Sequence, residues 1–166
     1  NQEHGWQTVS ASDIPFNDRD HAPQELSKNG IQKIIQDFSD AAIRAVDAGF
    51  DLIELHAAHG YLLHQFMSPL ANKRSDEYGG CFENRIRMAI ETFQSMKAAV
   101  PENFPIGVRL SAQDWLEGGW SLEESVELSK QLERLGAAYI HVSSGGFHAQ
   151  QDIKIGANYQ VSFAEA

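Results

Sequence analysis

The sequence predicts an α/β fold of the parallel (β/α)₈ barrel type. Three stretches with apolar residues at helical spacing alternate with three short apolar strands, and polar residues follow the end of each strand. Alternation of this kind is typical of parallel strands joined by right-handed helical crossovers. Because consecutive barrel strands are neighbours, their carboxyl ends and the polar residues behind them share one mouth.

An open doubly wound sheet is the other architecture that fits this alternation. When such a sheet binds a dinucleotide, it carries a G-x-G-x-x-G turn between a strand and a helix. The sequence has no such turn. We therefore favour the barrel, which also explains why polar residues follow three consecutive strands.

The first helix–strand unit is predicted over residues 27–56. An apolar stripe over residues 31–46 predicts the helix. Ser27 fits the N-cap, and Gly49 fits the left-handed residue that follows a helix end. The strand is predicted over residues 52–56, directly after the helix.

Two further units follow along the chain. The second has a predicted helix over residues 83–100 and a strand over 106–110. The third helix begins at a capping box formed by Ser121 and Glu124, and its strand is predicted over residues 139–143.

The length and the two ends of the chain predict part of a barrel. The chain has 166 residues, whereas a complete (β/α)₈ barrel typically needs about 250. Residues 1–26 are predicted to be an irregular loop, residues 27–166 successive helix–strand units, and residues 158–166 the start of another helix. We therefore expect one partial barrel over residues 1–166.

Charge and composition narrow the kinds of partner. The formal net charge of -10 repels nucleic-acid backbones and anionic membrane surfaces, so we expect neither as a partner. No uninterrupted apolar stretch is long enough to cross a bilayer. The single cysteine, Cys81, excludes an internal disulfide and fits a reducing cytoplasm. We expect a small-molecule substrate and a homo-oligomer.

The densest group of reactive side chains follows the first strand, where His56, His59 and Tyr61 lie within six residues. Two imidazole N–H groups directed at one oxygen stabilise the negative charge of a developing enolate or nitronate. The Tyr61 phenol could deliver a proton. A purely structural interpretation has His56 ending a buried strand and His59 capping a turn. The strand-end position and the adjacent tyrosine favour the functional interpretation.

A metal site is a second functional interpretation of these histidines. His56, His59 and His64 supply three imidazoles within a short segment, and zinc accepts such ligands. Few carboxylates lie nearby, and no His-Glu-x-x-His pattern occurs. We therefore expect no metal.

Arg109 lies inside an apolar strand, where a buried guanidinium needs an anionic partner. The structural interpretation is an ion pair with Glu54 on the neighbouring strand. The functional interpretation is a fixed cation for an anionic cofactor or substrate.

After the third strand, residues 143–146 could form a backbone nest for phosphate. Residues 114–120 could form a lid or simply pack, and the sequence does not decide between them.

Several motifs of the chain resemble the Old Yellow Enzyme family of FMN-dependent ene-reductases. They are HAAHGYLLHQF at 56–66, SPLANKRSDEYGG at 68–80, ENRIR at 83–87, VRLS at 108–111, SSG at 143–145 and YQVSFAE at 159–165. The paired histidines followed by Gly-Tyr resemble the bacterial xenobiotic-reductase and NADPH-dehydrogenase branch. Cys81 stands where the family commonly has serine, a departure that concerns helix capping.

The resemblance implies a TIM barrel with FMN at the carboxyl ends of the strands, of which this chain would supply roughly strands four to six. NADPH or NADH would reduce the flavin, and an α,β-unsaturated carbonyl or nitro compound would then be reduced at its carbon–carbon double bond. His56 and His59 would hold the substrate oxygen, Tyr61 would donate the proton, and Arg109 would contact the flavin.

The chain alone would lack much of the family's flavin site, so we expect it to be inactive by itself. Two other functions remain open at this point. One is a non-catalytic half-barrel that self-associates through open sheet edges. The other is a metal-dependent barrel hydrolase.

Overall fold

The computed structural model describes residues 5–17 and 19–166. Within these residues it has five strands and five helices. The strands are β1 (Val9–Ser10), β2 (Gln24–Glu25), β3 (Ile53–Ala57), β4 (Ile106–Ser111) and β5 (Ile140–Ser143). The helices are α1 (Lys28–Asp47), α2 (Leu62–Met67), α3 (Phe82–Ala99), α4 (Leu122–Arg134) and α5 (Val161–Ala164).

The three longer strands form one parallel sheet in the order β3–β4–β5. Leu55 pairs with Val108, and Val108 pairs in turn with Ile140. Each strand lies within one residue of its predicted bounds at both ends. Consecutive strands are therefore neighbours, as a barrel requires.

The helices α1 and α4 start where their capping residues predicted, and α3 lies within one residue of its predicted bounds. The Ser27 hydroxyl accepts a hydrogen bond from the Gly30 N–H, which satisfies one free donor of the first turn of α1. At α4 both hydrogen bonds of the capping box between Ser121 and Glu124 are formed. These caps fix the helix ends that lead into and out of the sheet.

The apolar core lies between one face of the sheet and the helices. Strand residues Leu55, Val108 and Leu110 are buried there. They belong to a single apolar cluster that also includes Ile31 of α1 and Leu128 of α4. Side chains alternate along a strand, so the residues between them point to the opposite face. That opposite face, called the inner face below, carries the polar residues Glu54, His56, Arg109, Ser111, His141 and Ser143.

The N-terminal segment is more ordered than the sequence predicted. β1 and β2 pair in parallel, with Val9 opposite Gln24. The Arg74 guanidinium donates to the carbonyls of Ala11 at 3.0 Å and Leu26 at 2.7 Å, and so ties this segment to the barrel. The prediction of an irregular loop over residues 1–26 is therefore wrong at both strands, because two-residue strands leave no period-two pattern.

The remaining predictions for the two ends of the chain concern residues 1–26 and 158–166. Asn1–His4 and Asp18, which belong to the predicted loop, lie outside the described residues. A further helix begins within residues 158–166 as predicted, and it is the short α5. The sequence reading missed α2. None of the described helices combines the length and apolar character needed to cross a membrane.

Candidate functional site

The parallel register gathers the inner-face polar residues at one end of the sheet. His56 of β3 pairs with Arg109 of β4, which pairs with His141 of β5. Two residues further along, Ser111 pairs with Ser143. The sequence positions of these residues are far apart, and only the register makes them neighbours.

The turn after β3 places His59 beside His56 through an unusual backbone. His59 has a φ of 58°, a left-handed value that is uncommon for a residue with a side chain. Its N–H donates to the Ser111 hydroxyl at 3.0 Å. Gly60 follows with a φ of 74°, and a Cβ there would lie 2.7 Å from the Gly146 carbonyl oxygen. Uncommon backbone conformations of this kind cluster at functional sites.

The two imidazoles contact each other and two flanking groups. His56 Nε2 lies 3.3 Å from His59 Nδ1, and the rings are perpendicular. On the outer sides, the Ala58 N–H donates to His56 Nδ1 at 3.2 Å, and His59 Nε2 lies 2.6 Å from the Ser143 hydroxyl. All four ring nitrogens are therefore engaged.

The surroundings of both imidazoles favour the neutral form. Burial lowers the pKa of His56 and of His59 below the ordinary histidine value, and the nearby Arg109 charge lowers both further. A neutral ring carries one proton, so each histidine offers one N–H donor and one acceptor. The pair therefore forms a hydrogen-bonding site without net charge.

Tyr61 lies at the entrance to this pair. It immediately precedes α2, and 62% of its surface is exposed. Its ring centre lies 5.1 Å from that of His56, in an edge-on arrangement. The predicted trio of His56, His59 and Tyr61 is thus brought together.

Arg109 lies next to this group, and the ion pair with Glu54 that the structural interpretation requires is not formed. Glu54 instead contacts His141, with 3.0 Å between Oε2 and Nδ1. Arg109 Nη2 reaches the Ser143 hydroxyl at 3.4 Å, and within the described residues the buried Nε has no hydrogen-bond partner. An unpaired guanidinium N–H in a buried position fits an anionic or acceptor group supplied by a ligand.

His64 does not join a metal site with the other two histidines. It is fully buried, its Nδ1 accepts from the Gly60 N–H at 2.9 Å, and its Nε2 lies 2.8 Å from an Asp114 carboxylate oxygen. Both nitrogens are occupied, so the three-imidazole site considered from the sequence is not formed. In the described part of the chain, no group of three potential ligands is arranged for a metal ion.

Residues 114–120 are held by packing. The Asp114 carboxylate accepts hydrogen bonds from the Ser68 hydroxyl at 2.6 Å and the Trp120 N–H at 2.7 Å. Trp120 is 1% exposed and stacks on Phe82. Of the lid and packing alternatives, this geometry favours packing.

The glycines after β5 allow the turn after β5 to pack closely on the turn after β3. Gly145 and Gly146 have φ values of 83° and 78°. A Cβ on Gly146 would lie 3.2 Å from the His59 carbonyl oxygen, so the segment packs directly on the turn that carries the paired histidines. This contact accounts for glycine at position 146, while the phosphate nest stays a prediction.

Sequence reasoning missed the side-chain contacts of Ser111 and Ser143 with His59 and the buried contact between His64 and Asp114. Ser111 and Ser143 continue the period-two inner-face pattern of their strands, which is a signal that could have revealed them. His64 is flanked by Leu63, Phe66 and Met67, and this apolar setting indicates a buried histidine within a short helix.

Comparisons with known proteins identify one family. The model of the NADH:flavin oxidoreductase / NADH oxidase family matches residues 2–163. An NADPH dehydrogenase of Bacillus velezensis is 46% identical over 154 residues, which are 93% of this chain and 45% of that protein. An NADH:flavin oxidoreductase of Gibberella zeae is 46% identical over 155 residues, covering 86% of this chain and 38% of that protein.

Solved structures show the same relationship. The Old Yellow Enzyme from a Pichia species matches with a TM-score of 0.75 and 31% identity over 85% of this chain and 42% of its own. Morphinone reductase matches with a TM-score of 0.75 and 30% identity over 99% of this chain and 48% of its own. This chain therefore spans less than half the length of each of these relatives.

The structural relatives are TIM barrels, so the predicted fold class is confirmed. The predicted resemblance to Old Yellow Enzyme is confirmed as well. With the family model covering nearly the whole sequence, the chain belongs to the NADH:flavin oxidoreductase / NADH oxidase family.

Proposed function

We propose that the protein containing this chain is an FMN-dependent ene-reductase. It uses NADPH or NADH to reduce the activated carbon–carbon double bond of α,β-unsaturated carbonyl or nitro compounds. The observation that carries this proposal is the pair of neutral imidazoles, His56 and His59, beside Arg109 with its unpaired buried Nε. Relatives named NADPH dehydrogenase and NADH oxidase support the nicotinamide reductant.

The imidazole pair provides the electrostatic part of the chemistry. His56 and His59 bind the carbonyl or nitro oxygen and withdraw electron density from the conjugated double bond. As the β-carbon receives hydride, negative charge develops on that oxygen, and N–H donors stabilise it most strongly in a site that excludes water. FMN, when bound, supplies the carrier of hydride between the nicotinamide and the substrate.

Tyr61 and Arg109 complete the proposed set of roles. The Tyr61 phenol, next to His56 at the entrance, donates a proton to the substrate α-carbon. Arg109 offers its unpaired Nε–H and its charge to the flavin from the inner face of β4.

Replacing both His56 and His59 by alanine should reduce kcat/KM for cyclohex-2-enone by about 100-fold or more, because the donors for the developing oxyanion are lost. Steady-state kinetics of the flavin-loaded protein measure this effect. Lys33→Ala, which removes an exposed side chain of α1, is the control and should change little. An unchanged kcat/KM in the double variant contradicts the proposed role of the pair.

Tyr61→Phe should lower the rate at which the reduced protein passes its hydride to cyclohex-2-enone by about tenfold or more, because the proton donor is lost. Stopped-flow absorbance separates this step from reduction by NADPH, which should keep its rate. Tyr159→Phe serves as the control, because its hydroxyl contacts Gln160. Equal rates for Tyr61→Phe and the unsubstituted protein would exclude Tyr61 as the donor.

Arg109→Ala should weaken FMN binding by about tenfold or more, because it removes a charge-assisted contact in a buried position. Quenching of flavin fluorescence on titration gives the dissociation constant. Arg134→Ala removes an exposed arginine of α4 and should leave this constant unchanged. If Arg109→Ala binds FMN as tightly as the unsubstituted protein, the proposed flavin contact is wrong.

We propose, secondly, that the chain by itself self-associates. We also propose that the protein is located in the cytoplasm. In the described residues β3 and β5 are the edges of a three-stranded sheet, and unpaired edges favour association. The exposed thiol of Cys81 fits a reducing compartment.

The isolated chain should therefore form assemblies larger than a monomer as its concentration rises. Sedimentation velocity over a range of concentrations measures this behaviour. A monomer at every concentration would argue against self-association, while leaving the proposed enzymatic function of the parent protein in place.

A further inference from the structure

Ser143 occupies a position between the substrate-binding pair and the arginine. It is 5% exposed at the end of β5. Its hydroxyl lies 2.6 Å from His59 Nε2 and 3.4 Å from Arg109 Nη2. A hydroxyl both donates and accepts, so it can meet either protonation state of the facing ring nitrogen.

The hydrogen-bond chain assigns the proton positions in the ligand-free site. His56 Nδ1 accepts from the Ala58 N–H, so the single proton of this neutral ring is on Nε2. His56 Nε2–H faces His59 Nδ1 at 3.3 Å, so Nδ1 accepts. The proton of His59 is therefore on Nε2, where it is donated to the Ser143 hydroxyl.

This assignment conflicts with the role proposed for the pair. An oxygen bound between the rings accepts a hydrogen bond from His56 Nε2–H, but it faces the lone pair of His59 Nδ1. Two lone pairs facing each other repel, and only one of the two rings would act as a donor. For both rings to donate, the proton of His59 must be on Nδ1.

We propose that Ser143 is a positioning residue that lets His59 exchange its tautomer when a carbonyl or nitro oxygen binds. In the ligand-free site the Ser143 hydroxyl accepts from His59 Nε2–H; in the ligand-bound site it donates to the deprotonated Nε2. His59 Nδ1–H then donates to the ligand oxygen beside His56 Nε2–H. This inference rests on the proposed function of the His56 and His59 pair.

The exchange is balanced and leaves the charge of every group unchanged. One proton leaves His59 Nε2 and one arrives at Nδ1 of the same ring through solvent, so the charge of the ring does not change. When the Ser143 hydroxyl turns to donate, its oxygen still has a donor in Arg109 Nη2. His56 has no such freedom, because its Nδ1 faces a backbone N–H that cannot become an acceptor.

Nitrogen NMR of ¹⁵N-histidine-labelled, flavin-loaded protein tests the exchange directly. Long-range proton–nitrogen correlations separate the two neutral tautomers of a histidine. With the flavin oxidised, cyclohex-2-enone binds without being reduced. We expect the His59 proton on Nε2 without the enone and on Nδ1 with it, while His56 keeps its proton on Nε2. The same His59 tautomer in both states overturns the proposal.

Two substitutions of Ser143 separate positioning from simple packing. Ser143→Ala should abolish the tautomer change and raise the KM for cyclohex-2-enone about tenfold, equivalent to about 1.4 kcal/mol, with a smaller effect on reduction by NADPH. Ser143→Thr retains the hydroxyl and should restore the tautomer change. Ser129→Ala, a serine whose hydroxyl bonds within α4, is the control for folding. An unchanged KM and tautomer pattern in Ser143→Ala overturns the inference.

The outcomes also distinguish this inference from the function on which it rests. If the unsubstituted protein neither binds nor reduces the enone, the proposed function fails and this inference fails with it. If the protein reduces the enone while His59 keeps one tautomer throughout, only the role of Ser143 is overturned.

Discussion

The parallel register of β3, β4 and β5 is the constraint on which the site depends. It sets His56 opposite Arg109 and Ser111 opposite Ser143, although these residues lie far apart along the chain. Because side chains alternate across a strand, a shift by one residue would move every one of them to the helix-covered face. The apolar residues on that face, such as Leu55 and Val108, therefore fix the register and with it the polar site.

A buried polar network holds the turn that carries His59. The His64 imidazole joins the Gly60 N–H to the Asp114 carboxylate, which also accepts from Ser68 and Trp120. Every member has its partner, and losing one would leave a buried group unsatisfied at a cost of about 1–3 kcal/mol. The network thereby connects the turn after β3 to the loop after β4. These hydrogen bonds stabilise the left-handed backbone next to the imidazole pair.

Periodicity and capping residues were enough to predict β3, β4, β5 and the long helices, and the strand-end position was enough to predict the trio of His56, His59 and Tyr61, because these features are local in sequence. The partner of Arg109 could not be predicted from local sequence. Glu54 pairs instead with His141, which lies on another strand of the sheet. The short strands β1 and β2 were missed for a similar reason. They are stabilised by the guanidinium of Arg74, which lies 63 residues after Ala11 and 48 residues after Leu26.

The charge of Arg109 acts directly on the imidazole pair. It is the second cause, after burial, that lowers the pKa of both histidines, and so it favours neutral rings. A neutral imidazole has one proton for two nitrogens, so what it offers a ligand depends on what its other nitrogen contacts. For His56 that contact is a backbone N–H, which fixes the outward donor; for His59 it is the Ser143 hydroxyl, which can reverse. The pair therefore combines one fixed donor with one whose polarity adapts to the ligand.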